Sequence, residues 1–251
     1  MEWTESGFII GTRRHGETSL IVEAFTSAHG RHMGLVKGGR GTRWRGVLQP
    51  GNRLRFTWRA RLSEHLGHYA AEAEALGASE IMADPLALAA LNSINAMVRL
   101  LPERDAHPRL FARYEAIVEA LPAGAGWPAG EGWPAALARF ELTLLGELGF
   151  GLDLESCAAT GANDELAYVS PKSGRAVSLS AGAPYKDKLL ALPRFLREET
   201  LMPENVDDLI AAFRLTRFFL ARDVYAPRGL TPPESDERMI RLLQRTAAGK
   251  H

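Results

Sequence analysis

Polar and apolar residues alternate most cleanly in "NRLRFTWRAR", residues 52–61, where Leu54, Phe56, Trp58 and Ala60 share one face. Arg53, Arg55, Thr57, Arg59 and Arg61 fall on the other, the period-two signature of a half-buried strand. Four more runs in the first 75 residues read as strands and turns. They are "FIIGTRR" (8–14), "TSLIVEAFT" (18–26), "RHMGLVK" (31–37) and "EHLGHYAAEA" (64–73), with turns at "HGE" and "SAHG". A glycine-rich basic loop, "VKGGRGTRWRG" (36–46), follows the third strand. Five short strands around such a loop predict a small barrel, with the five-stranded OB-fold as the leading candidate.

From Asp84 the period changes to that of helices. "DPLALAALNSINAMVRLL" offers Asp84 as N-cap and Pro85 at the first helical position. "PRLFARYEAIVEAL" predicts a second helix. A Gly/Pro/Trp connector at 124–134 leads to a third, "AALARFELTLLGELG", stopped by Gly149. Residues 150–183 lose the period and read as turns and short strands. Helices are then predicted over "KDKLLALPRFLRE" (186–198), "NVDDLIAAFRLTRFFLARDVY" (205–225) and "ESDERMIRLLQRT" (234–246). The predicted architecture is α+β and multidomain: a barrel over 1–80, then an all-α domain over 81–251 with an irregular insert at about 150–183.

Composition adds little until it is divided along the chain. Apolar residues make up 46% and charged residues 24%, and no apolar run approaches the ~18 residues of a membrane span. The acidic start "MEWTES" is unlike a basic signal-peptide leader, and the one cysteine, Cys157, excludes an internal disulfide; both point to the cytoplasm. The net charge is zero, yet residues 1–61 hold eleven Lys/Arg against four Asp/Glu, a surplus of +7 that the remainder cancels. Such asymmetry is the footprint of a polyanion-binding face. An arginine row on one strand face repels itself unless an anion or acidic neighbours compensate. In the loop, Arg43 and Arg45 flank Trp44 beside Lys37 and Arg40. An indole there can stack on a base while the cations hold phosphates, or fold back as a plug of the barrel.

Catalytic signatures are lacking. There is no P-loop, nucleophile elbow or H-E-x-x-H, and Trp44 stands where a dinucleotide fingerprint needs its third glycine. Cys157 has no activating partner in the adjacent sequence. Histidines three apart in a strand, such as His65/His68, point to opposite faces, a poor metal geometry. His29/His32 spans a turn and can curl together, but has no nearby carboxylate or thiolate in the sequence to complete a site. No enzymatic activity, metal or cofactor is expected.

The stretch "GFIIGTRRHGETSLIVEAFTSAHGRHMGLVKGGRG" together with "GELGFGLDLESCAATG" resembles the RecO recombination mediators of bacterial DNA repair. The resemblance runs through nearly the whole chain. It implies an N-terminal OB-fold, a helical C-terminal domain and a small zinc-finger-like insert. It also implies binding and annealing of single- and double-stranded DNA, partnership with RecR, and contact with the C-terminal tail of single-stranded DNA-binding protein, through which RecA is helped indirectly. A nucleoid-associated cytoplasmic protein follows. DNA-binding candidates are Arg13, Arg14, Arg31, Lys37, Arg40, Arg43, Trp44, Arg45, Arg53, Arg55, Arg59 and Arg61. An acidic tail with an apolar end would need a cleft both basic and apolar, for which Lys186, Lys188, Arg214 and Arg217 are candidates. Many family members hold zinc with two C-x-x-C pairs. Here Cys157, Thr160, Ser178 and Ala181 stand at those positions, so a zincless insert is expected. Two other readings of the same basic face are an RNA-binding or ribosome-associated adaptor and a scaffold that docks an acidic protein.

Overall fold

A computed structural model describes residues 1–124 and 132–248, so most of the predicted connector lies outside the described residues. The chain divides into two compact units, Met1–Gly124 and Ala125–His251.

The first unit is built on five strands: β1 (Glu2–His15), β2 (Ser19–Thr26), β3 (Gly30–Val36), β4 (Arg53–Arg59) and β5 (His68–Ala75). They close into a barrel in the order β1-β2-β3-β5-β4. Closure depends on the length of β1. Its first half, Glu2–Phe8, pairs with β4, and its second half, Gly7–His15, pairs with β2. A register shift between Ile9 and Gly11 accompanies the change of partner. Phe8, Ile9 and Ile10 are consecutive yet all buried. Ile9 joins Val22, Ala24, Val36, Leu54, Phe56, Trp58 and Tyr69 in the barrel core. Gly34 is required there, because a Cβ would press on the Tyr69 ring.

Outside the barrel lie α1 (Ala78–Ala83), α2 (Pro85–Val98) and α3 (Pro108–Ala120). Asp84 caps α2 as expected, accepting from the Leu86 amide at 2.8 Å. Phe8 and Phe25 turn away from the barrel core and meet Phe111 and Tyr114 of α3 at 5.3–6.3 Å between ring centres. Each such buried ring contributes roughly 1.5–3 kcal/mol. Arg99 at the end of α2 adds polar ties, to Glu23 at 2.8 Å and the Ile10 carbonyl at 2.7 Å. These helices therefore belong to the same compact unit as the barrel, whereas the sequence pattern groups them with the later helices.

The second unit contains α4 (Trp133–Glu147), α5 (Leu179–Gly182), α6 (Val206–Phe219) and α7 (Glu234–Ala248). It also holds a three-stranded sheet of β6 (Leu166–Val169), β7 (Ala176–Ser178) and β8 (Leu190–Ala191), in the order β7-β6-β8. The helix expected over 186–198 does not form. Its leucines mimic helical spacing, but Tyr168 and Val169 pair with Ala191 and Leu190, and Pro193 ends the strand. The irregular insert thus extends past residue 183 to β8. The predicted helix over 205–225 is α6 continued by a π-helical turn, Leu220–Tyr225.

Candidate nucleic-acid interface

The glycine-rich loop leaving β3 is tied down along its length. Gly38 adopts φ 64°, which its lack of Cβ permits, and the Gly39 amide returns to the Val36 carbonyl at 3.2 Å. Arg40 reaches the β1–β2 turn: its amide donates to the Thr18 carbonyl at 2.9 Å, and its guanidinium donates to the Glu17 carbonyl. Thr42–Trp44 form one 3-10 turn. The buried Asn52 donates to the Gly46 and Val47 carbonyls at 2.8 and 2.9 Å and accepts from the Ala78 amide at 3.0 Å. This loop is a shaped ledge, where the glycines alone predict flexibility.

Trp44 sits on that ledge facing the barrel. It is partly buried and packs, with Leu20 and Val47, against the barrel core. Its Nε1 is buried without a hydrogen-bond partner, and the Arg43 guanidinium stands 4.9 Å from its ring centre. Of the two orientations the sequence allows, the structure has the plug. Beside Trp44 opens a cavity of about 480 Å³. It is lined by Leu35, Val36, Lys37, Arg43, Trp44, Thr57, Arg59, His68, Tyr69, Ala70 and Ala71. Walls partly apolar and partly cationic suit an amphipathic anion such as a nucleotide.

The candidate cations separate into two groups. Arg31 and Arg53 are structural. Arg31 pairs with Glu23 at 2.7 Å and donates to the Leu101 carbonyl at 3.2 Å. Arg53 is ringed by Glu115 at 2.6 Å, Glu119 at 2.9 Å and Glu74 at 3.3 Å. Within the arginine row, Arg53 is thus compensated by acidic neighbours brought from β5 and α3. Arg40 serves the loop. Arg59 pairs with Glu2 at 2.8 Å, but both side chains are more than half exposed, so the pair is weak and exchangeable. Arg13, Arg14, Lys37, Arg43, Arg45, Arg55 and Arg61 are exposed and form no ion pair with another described residue. Arg13 and Arg59 end one cross-strand row, Arg13–Ile21–Leu35–His68–Arg59, that crosses the cavity. Four strand spacings make it about 19 Å long.

His29 and His32 come together on Trp3, at 4.1 and 5.1 Å between ring centres, so the first pair does curl together across its turn. His29 stacks on Trp3 at 4.1 Å and meets Glu5 at 2.7 Å, a carboxylate distant in sequence. His32 is inside the barrel, with Nδ1 3.0 Å from the Tyr69 hydroxyl. Burial, aided by the nearby Arg104 and His29, pushes its pKa down to about 4. His68, which its sequence spacing marks only as a poor metal ligand, lines the cavity instead; its cross-strand position opposite Leu35 and Arg59 is what reveals this. Among the described residues no three His, Cys, Asp or Glu side chains cluster as a metal site.

In the second unit, Lys186 and Lys188 are exposed on a 3-10 segment around the exposed Tyr185, and Arg214 is exposed on α6. Arg217 is not available for docking. Its Nε and Nη2 hold Glu141 Oε1 at 3.1 and 3.0 Å, and Nη1 donates to the Asp236 carbonyl at 2.7 Å. Glu141 is fully buried, and that burial holds its carboxyl above the usual range despite Arg217. Cys157 is buried with Sγ accepting from the Ser178 amide at 3.3 Å. Hydrogen bonds from Ser178 and Thr160 hold its thiol down to about 6. One thiolate with two hydroxyls and an alanine methyl does not fit tetrahedral zinc.

Comparison with known proteins divides the chain after the barrel strands, where the sequence period changes, and not at residue 124 where the two compact units part. Residues 1–76 match the family model "Recombination protein O N terminal", and residues 82–231 match "Recombination protein O C terminal". Three relatives described as DNA repair protein RecO span almost the whole chain. The one from Beijerinckia indica subsp. indica is 54% identical over 247 residues, 98% of this chain and 96% of its own. That of Methylobacterium nodulans is 52% identical over 246 residues, 96% and 98%. That of Rhizobium etli is 53% identical over 232 residues, 92% and 88%. The chain belongs to the RecO family.

Proposed function

We propose that this chain is a DNA repair protein that binds single- and double-stranded DNA on the barrel unit and anneals complementary strands. With RecR, it helps RecA replace single-stranded DNA-binding protein, as the family resemblance implies. The barrel order is that of an OB-fold, a scaffold that presents one face and its loops to oligonucleotides. The observation that carries the reading is a set of cations without ion pairs to other described residues: Arg13 and Arg14 at the end of β1, and Lys37, Arg43 and Arg45 on the loop that leaves β3 on the other side of β2. Such cations screen two phosphate backbones without consuming base edges, so complementary strands held there can pair. The reading needs no covalent step and no cofactor. The Cys157 insert, with its β7-β6-β8 sheet, takes the place of the family's zinc-bearing one, and its side chains do not suit tetrahedral zinc. Lys186, Lys188 and Arg214 are the remaining basic candidates for an acidic tail. No helix among the described residues is long and apolar enough to cross a membrane.

The test is annealing of complementary oligonucleotides coated with single-stranded DNA-binding protein, with and without this chain. Faster annealing supports the reading. An unchanged rate, with no binding to DNA at low salt, overturns it, and a strong preference for structured RNA would favour the adaptor.

A further inference from the structure

We infer that the cavity beside Trp44 receives one unstacked nucleobase of a bound strand, so that the barrel recognises a base held out of pairing as well as the backbone. The inference rests on the DNA-binding reading and adds a site to it. Volume supports it first: about 480 Å³ lies within the range of small-molecule sites and far below what a duplex needs. The chemistry of the walls supports it next. Trp44 and Ala70 offer apolar surface for a planar ring, and Thr57 and His68 offer polar groups for its edge. Lys37 and Arg43 stand at the same cavity, exposed and without ion pairs to other described residues, where the flanking phosphates would lie. Base and phosphate contacts therefore coincide in one place, which a track of surface cations does not provide. A paired, stacked base cannot enter, so the cavity favours single strands, gaps and ends over intact duplex.

The experiment compares the full chain binding to two oligonucleotides of equal length at equal salt, by fluorescence anisotropy. One carries thymine throughout; the other has the same backbone with abasic residues. Occupation of the cavity predicts about tenfold tighter binding of the base-bearing strand. Ala70→Leu, which fills the cavity from an exposed position, should bring that ratio close to one. A second probe needs no variant: a single 2-aminopurine in the strand should change its fluorescence on binding. Equal binding of both strands by the parent protein overturns the inference and leaves the phosphate-contact reading standing. Binding of neither strand, even at low salt, overturns both.

Discussion

Replacing Arg217 by methionine separates a structural role from a docking role. Arg217 is mostly buried and Glu141 entirely so, and the pair joins α4 to α6 while Nη1 reaches the start of α7. Methionine keeps the apolar stem against Phe213, over whose ring the guanidinium sits at 4.7 Å. What it removes is both hydrogen bonds to Oε1, leaving Glu141 with the Thr216 hydroxyl alone. Breaking a buried pair from one side costs about 3–5 kcal/mol, because the remaining charge has no partner in a poorly polarisable interior. Proton uptake limits the loss. Glu141 is already held above its ordinary pKa, and without Arg217 it rises further. A carboxyl raised in the folded state contributes fully below its unfolded pKa and loses that contribution as pH rises through the folded value. Arg217→Met should therefore be most damaging at pH 8 and least at pH 5. Glu141→Leu combined with Arg217→Met should recover most of the loss, since no orphaned charge is left. Urea unfolding followed by circular dichroism at both pH values measures this. A single-variant loss below about 1 kcal/mol at pH 8, or a double variant no better than the single, would refute the reasoning.

Other consequences can be read from the same contacts. His32 is neutral in the fold with a pKa of about 4, so its contribution is complete above its ordinary 6.5 and falls away between 6.5 and 4. That decline amounts to about 3 kcal/mol, and His32→Gln should show a correspondingly shallower loss of stability on acidification. Trp44→Phe removes an orphaned buried N–H at the expense of some packed area, so its unfolding free energy should stay within about 1 kcal/mol of the parent. Asp84→Ala removes the α2 cap and should lower thermal stability by about 1 kcal/mol.

β3 and β4 were legible because one face of each is buried and the alternation survives, and β2 because its run is apolar and β-branched. The beginning of β1 was not. "EWTESG" is mostly polar, and its strand character comes from pairing with β4, some fifty residues away. The stretch 186–198 misled for a related reason: leucine spacing is local, while the bond to β6 that makes β8 is not. The candidate site shows the same division. The surplus of positive charge marks the right unit, but charge counts cannot tell Arg53, enclosed by Glu74, Glu115 and Glu119, from Arg55 two residues on. The orientation of Trp44 depends on its packing, with Leu20 and Val47, against the barrel core, which no local pattern encodes.

Nucleic acid, on this reading, meets the unpaired cations around the cavity and not the arginines already clasped by carboxylates. The salt dependence of single-stranded DNA binding tests that most directly. The parent should be compared with a Lys37→Ala, Arg43→Ala, Arg45→Ala variant and with Arg53→Ala. The triple variant should lower the log–log salt slope by about 2, near 0.7 for each phosphate no longer neutralised, while Arg53→Ala leaves the slope unchanged. A triple variant with the parent's slope, or an Arg53→Ala slope reduced as much, would contradict it.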